Sequence, residues 1–183
     1  MTPGRPETCD NLDNDCNGKI DDNRQCLKVD VASIQLITGG VGVQTLACPA
    51  GKIACGINRN AGALSSNVFC CPVSPSVLFT IGSADPLLPQ GTSGSTVMCP
   101  AGKVVCGAKR GQITPAGGLA LTQIRCCPAG GVTVNYNSKA LGTWQADLTV
   151  KCSATQVMCG IRNGASNTPQ GVAVTGIYCC PFS

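Results

Sequence analysis

Cysteine and carboxylate are the reactive groups of this chain: 183 residues carry fifteen cysteines, nine acids and no histidine. Twelve cysteines fall into one recurring frame. Cys48-Pro49-Ala50-Gly51-Lys52-Ile53-Ala54-Cys55-Gly56 returns as Cys99-Pro100-Ala101-Gly102-Lys103-Val104-Val105-Cys106-Gly107. It returns more loosely as Cys152-Ser153-Ala154-Thr155-Gln156-Val157-Met158-Cys159-Gly160. Each copy leads to a vicinal pair and a proline: Cys70-Cys71-Pro72, Cys126-Cys127-Pro128 and Cys179-Cys180-Pro181. Zinc sites usually space their ligands by two to four residues and often add His. The six-residue gap here, with no His in the chain, reads instead as a disulfide framework. A cysteine density of about 8% belongs to an oxidising compartment, which places the protein outside the cell or on its surface.

The second chemical feature is acidic. Residues 7–22 run Glu7-Thr8-Cys9-Asp10-Asn11-Leu12-Asp13-Asn14-Asp15-Cys16-Asn17-Gly18-Lys19-Ile20-Asp21-Asp22. Oxygen ligands at alternate positions can wrap a hard cation, and a mid-loop glycine permits the sharp turn. The candidate ligands are Asp10, Asp13, Asp15, Asn17, Asp21 and Asp22, and the expected ion is calcium. The closing glutamate of an EF-hand is missing, because Arg24 falls there, so Asp21 or Asp22 must close the loop. Thiolate ligation does not suit calcium. The expected staple of this loop is Cys9–Cys16. Cys26 is then left over as a free thiol, a link to another subunit or the partner of a domain cysteine.

Enzyme chemistry lacks its usual carriers. A cysteine nucleophile needs a base, and His, the commonest proton carrier, is absent. After residue 29 the acids are Asp30, Asp85 and Asp147. A glycosidase pair would require two of these to converge, and lone surface aspartates are the simpler reading. Gly51-Lys52 and Gly102-Lys103 lack the rest of a phosphate loop. The single Trp144 fits packing better than sugar stacking. We therefore expect no enzyme. Arg59, Arg110 and Arg162 follow the second cysteine of each repeat and are the candidate ligand-loop residues.

These groups need a scaffold, and the charge pattern divides it. Residues 1–29 carry a net charge of −2, and residues 30–183 carry +6. The expected domains are an acidic metal-binding arm, 1–29, and a three-repeat body, 30–183, with units near 30–74, 75–129 and 130–183. The basic excess is scattered, which argues against nucleic acid. No run reaches the roughly 18 apolar residues of a membrane span, and no basic-then-apolar leader opens the sequence.

β-rich stretches recur at 31–37, 53–57, 68–73, 104–108, 121–127, 132–136 and 174–180, with further short ones ending at Cys48, Cys99 and Cys152. About four strands per repeat, with Pro-Ala-Gly turns, predict an all-β fold of three roughly four-stranded units. Neighbouring side chains on a strand face opposite ways. Cys70 and Cys71 should therefore bond different partners, as should Cys126 and Cys127, and Cys179 and Cys180. That excludes one of three pairings per repeat and leaves two open. In either, Cys48 and Cys55, Cys99 and Cys106, and Cys152 and Cys159 are bridged to the vicinal pairs.

Two resemblances add to this reading. The acidic stretch closely resembles the metal-binding motif of secreted and outer-surface proteins of myxobacteria and other bacteria. Its usual form is Glu-x-Cys-Asp-x-x-Asp-Asn-Asp-Cys-Asp-Gly-x-x-Asp-Glu. Asn17 and Asp22 depart from it but keep oxygen donors. Copper is linked to that family, yet no His or Met cluster supports copper here. The repeat length and the run Leu121-Thr122-Gln123-Ile124-Arg125-Cys126 resemble the vitelline membrane outer layer protein family. That resemblance implies a pseudo-threefold β-prism, with extracellular coats and carbohydrate contact as its setting. The acidic or aromatic sugar-facing loops common in such proteins are nearly missing here. The expected function is a non-catalytic, secreted or cell-surface structural or assembly protein, such as a homopolymeric fibre or coat subunit. Its partners would be copies of itself, extracellular matrix or cell-surface glycan. The alternative is a lectin-like carbohydrate-binding module.

Overall fold

A computed structural model describes residues 6–10, 12–22, 26–38, 44–59, 65–74, 80–89, 94–112, 119–143, 145, 149–165 and 172–182. The fold is all-β. Its strands are β1 (Lys28–Val29), β2 (Gln35–Ile37), β3 (Gln44–Ala47), β4 (Lys52–Arg59), β5 (Ser65–Ser74), β6 (Thr80–Ile81), β7 (Thr96–Met98), β8 (Lys103–Gln112), β9 (Leu119–Gly130), β10 (Ala140–Leu141), β11 (Thr149–Lys151), β12 (Gln156–Ala165) and β13 (Val172–Pro181). Each repeat is built on a long antiparallel hairpin: β4–β5, β8–β9 and β12–β13. Their central strands β4, β8 and β12 touch one another pairwise, which sets the pseudo-threefold, prism-like arrangement. The Cys-Pro-Ala-Gly corner starts two of the hairpins. Gly51 and Gly102 sit there at φ +76° and +75°, a conformation that costs an L side chain energy but not glycine.

The sheets do not coincide with the sequence repeats. β3 leaves the first repeat to pair with β8 of the second. β7 leaves the second to pair with β12 of the third, and β11 returns from the third to pair with β4 of the first. Each sheet thus borrows its outer strand from the preceding repeat, and the exchange closes in a ring. This leaves no repeat whole without its neighbours, as expected for units too small to bury a core alone. Two of the β-rich stretches differ from the sequence reading. Within 31–37, only Gln35–Ile37 is strand, because Asp30 turns the chain by accepting hydrogen bonds from the Ala32 and Ser33 N–H groups. Within 132–136, Val134 makes one isolated bridge and Tyr136 opens a short 3-10 turn, with Asn135 capping the N–H groups of Asn137 and Ser138.

Two apolar clusters form the core, and alternation along the strands separates them. Ala54, Ile57, Val105, Ile124, Met158, Ile161 and Ile177 belong to the first, while Ile53, Val104 and Val157 belong to the second. The vicinal cysteines straddle this division as their neighbouring positions require: Cys70 and Cys179 enter the first cluster, and Cys71 and Cys180 the second. The pairing left open by the sequence is settled. Cys48–Cys70, Cys99–Cys126 and Cys152–Cys179 form one equivalent set. Cys55–Cys71, Cys106–Cys127 and Cys159–Cys180 form the other.

Candidate metal centre

The arm is shaped by its own carboxylates. Asp13 accepts hydrogen bonds from the N–H groups of Asn17 and Gly18, at 3.1 and 2.8 Å. Asp15 accepts from the Asn17 N–H, and the Asn17 side-chain oxygen accepts from the Lys19 N–H. Gly18, at φ +87°, makes the turn that these bonds close. Glu7 ties the ends together: its two oxygens accept from the N–H groups of Asp15 and Asp21, at 2.8 and 3.0 Å. The loop is thus folded back on itself by backbone bonds to its own carboxylates.

Among the described residues, one group of acids gathers as a metal site would. Carboxylate oxygens of Glu7, Asp13 and Asp15 lie within 4.8 Å of one another. Three like charges at that spacing repel, and a bound cation would relieve the repulsion. The donor set is all oxygen, which fits a hard cation. Two of the three, Asp13 and Asp15, are among the expected ligands. Glu7 was missing from that set, although the usual form of the motif opens on glutamate, and that was the signal to read.

The other candidates sit around this group. Asn17 donates from its side chain to Asp15 and Asp22. Asp10 instead accepts from the Leu12 N–H and the Asn14 side chain. Asp21 is buried and accepts from the Asp10 N–H. Glu7 is thus the third carboxylate of the gathered group, which does not include Asp21 or Asp22.

The expected staple is corrected. Cys9 bonds Cys26, and Cys16 is the free, exposed thiol. Cys16 lies between Asp15 and Asn17, at φ +59°, where the loop turns and the Asn17 N–H donates to Asp15 across it. Cys26 is instead buried at the foot of the arm, 6% exposed, beside Leu27 and Val29 of the second core cluster. The bridge therefore ties the acidic loop to the buried foot of its own arm.

The arginines expected in matching loops are not equivalent. All three lie in strands, and Arg162 aligns with Lys109 and Asn58, one residue before the position shared by Arg59, Arg110 and Asn163. Arg110 and Asn163 are buried, whereas Arg162 is exposed. One residue of offset on a strand turns a side chain to the other face, so Arg110 and Arg162 share no face. The Arg59 side chain, Trp144 and Asp147 lie outside the described residues. Asp85 forms an ion pair with Lys103. Asp30, held by the Ser33 side chain first and by the Ser33 and Ala32 N–H groups, has its carboxyl lowered from the ordinary value. Tyr136 is shifted the other way, because partial burial disfavours its ionised form.

A family described as "Putative metal-binding motif" matches residues 1–22, the stretch that carries this acidic loop. No curated protein and no solved structure matches the chain. The class defined by site and fold is therefore a metal-binding-motif arm on a disulfide-rich β body, consistent with an extracellular protein.

Proposed function

We propose that the chain is a secreted or cell-surface structural protein without catalytic activity, whose N-terminal arm binds calcium. The observation that carries this reading is the convergence of Glu7, Asp13 and Asp15 within the matched motif. Calcium is favoured over copper because these donors are hard oxygens, and copper sites draw on imidazole, thioether or thiolate. Seven disulfides support an oxidising setting. No helix among the described residues is long and apolar enough to cross a membrane. A non-catalytic role is supported by the engagement of Asp30 in a turn and of Asp85 with Lys103. Its partners in this reading are copies of itself or matrix and cell-surface glycans, with calcium ordering the arm that presents them.

The test is calorimetric titration of metal-stripped protein with calcium, magnesium and copper. Saturable calcium binding at one site, abolished by Asp13→Asn together with Asp15→Asn, is expected. Binding of copper but not calcium would overturn the assignment of the ion. Electron microscopy with and without calcium tests assembly, and a monomer under both conditions would remove the structural role.

A further inference from the structure

The three sheets differ at one equivalent place, and the difference opens a site. The glycine after the second cysteine of each repeat is flanked across the sheet by two side chains. In the first sheet Gly56 lies between Phe69 and Lys151. Lys151 Nζ stands 4.8 Å from the Phe69 ring centre, so the pair covers the glycine. In the third sheet Gly160 lies between Tyr178 and Met98, both packed against the second core cluster. In the second sheet Gly107 lies between Arg125 and Ala47. A methyl group replaces a long side chain, and an arginine replaces a ring.

A hollow of about 320 Å³ lies at this place, at the lower end of small-molecule sites. Its wall includes Ala47, the Pro49–Lys52 corner, the 81–84 segment and Arg125. Among the described residues Lys52 and Arg125 are its charged lining, and no acid joins them. Lys52 donates to the neutral side chain of Gln35. The Arg125 Nε is buried with no hydrogen-bond partner, and no carboxylate among the described residues pairs with its guanidinium. Asp85, close in sequence to the wall, is already taken by Lys103. A buried guanidinium donor left without a partner is costly, and proteins seldom leave one so. The planar fork of arginine matches the two oxygens of a carboxylate or sulfate.

We propose that this hollow between the first and second repeats binds a small oxyanion, a carboxylate or sulfate group, with Arg125 as its bidentate contact and Lys52 as the supporting charge. The site is separate from the arm and does not depend on its metal. The apolar wall leaves room for the body of a small acidic molecule, of which a uronic acid is one carrier.

The test is a titration of the full oxidised chain, without added metal, against sodium glucuronate, sodium sulfate and glucose, followed by calorimetry at low salt. Saturable glucuronate binding is expected, weakened by about tenfold or more in Arg125→Gln, the loss of one charged hydrogen-bond pair. Ala47→Met, which copies the third sheet, fills the hollow without altering charge and should abolish binding. Arg162→Gln should leave it unchanged. Sulfate binding as well as glucuronate would identify a free-anion site, and glucuronate alone would identify a site that also reads the sugar. Circular dichroism and thiol counting establish that each variant is folded. Equal binding of glucose, no saturable binding of either anion, or glucuronate binding unaffected by both Arg125→Gln and Ala47→Met would overturn the proposal.

Discussion

Replacing Cys55 and Cys71 together by alanine probes how far crosslinks substitute for a large core. Their sulfurs are fully buried, their Cα atoms are 5.8 Å apart, and they are 16 residues apart in sequence. Opening a loop of that size returns about 3 kcal/mol of chain entropy to the unfolded state at 25 °C. The gap left by the two sulfurs adds to this, so the expected loss is about 3–5 kcal/mol. In a chain of this length, about 3 kcal/mol corresponds to roughly 6–12 °C in melting temperature. The bridge Cys99–Cys126 closes 27 residues, and its removal should cost about half a kcal/mol more by the same entropy. Urea unfolding measures both, and the slope should rise as the uncrosslinked chain exposes more surface. Six such bridges together exceed the stability of an ordinary domain, about 5–15 kcal/mol, so full reduction should unfold the body. A loss under about 1 kcal/mol for Cys55/Cys71, or a reduced protein that still melts cooperatively, would refute the reasoning.

Three further outcomes follow from the geometry. Alkylation of the native, unreduced protein should place one label on Cys16 and none on Cys26, read by peptide mass mapping; a label on Cys26 would contradict the arm's disulfide. Gly56→Ala should destabilise by about 1–3 kcal/mol in urea unfolding, because the new Cβ would press on the Val150 carbonyl of the borrowed strand β11, which is backbone and cannot swing aside. The Tyr136 hydroxyl donates to the carbonyls of Pro100 and Lys103, and burial raises its ionisation above the ordinary phenol value of 10.0. Its contribution is therefore complete below that value and lost as pH rises through the folded one; ultraviolet titration should show one late tyrosine that disappears in Tyr136→Phe.

The repeat frame, the oxidised state of its cysteines and the opposite facing of each vicinal pair were legible in the residues alone. These properties are local: a strand alternates faces whatever surrounds it, so Cys70 and Cys71 had to find different partners. The acidic loop was legible for the same reason, since alternate Asp and Asn around Gly18 bend the chain through bonds to their own neighbours. Local spacing could not say that Cys26 rather than Cys16 bonds Cys9, because the fold of the arm brings residues 17 apart together and leaves Cys16 exposed. Nor could it show Glu7 reaching back over the loop to Asp15 and Asp21. The ring of borrowed strands β3, β7 and β11 is likewise a matter of long-range pairing, and adjacency in sequence is blind to it. That exchange sets Ala47 beside Gly107, with Arg125 on the strand beyond, so the cationic hollow exists only once the first repeat has paired with the second.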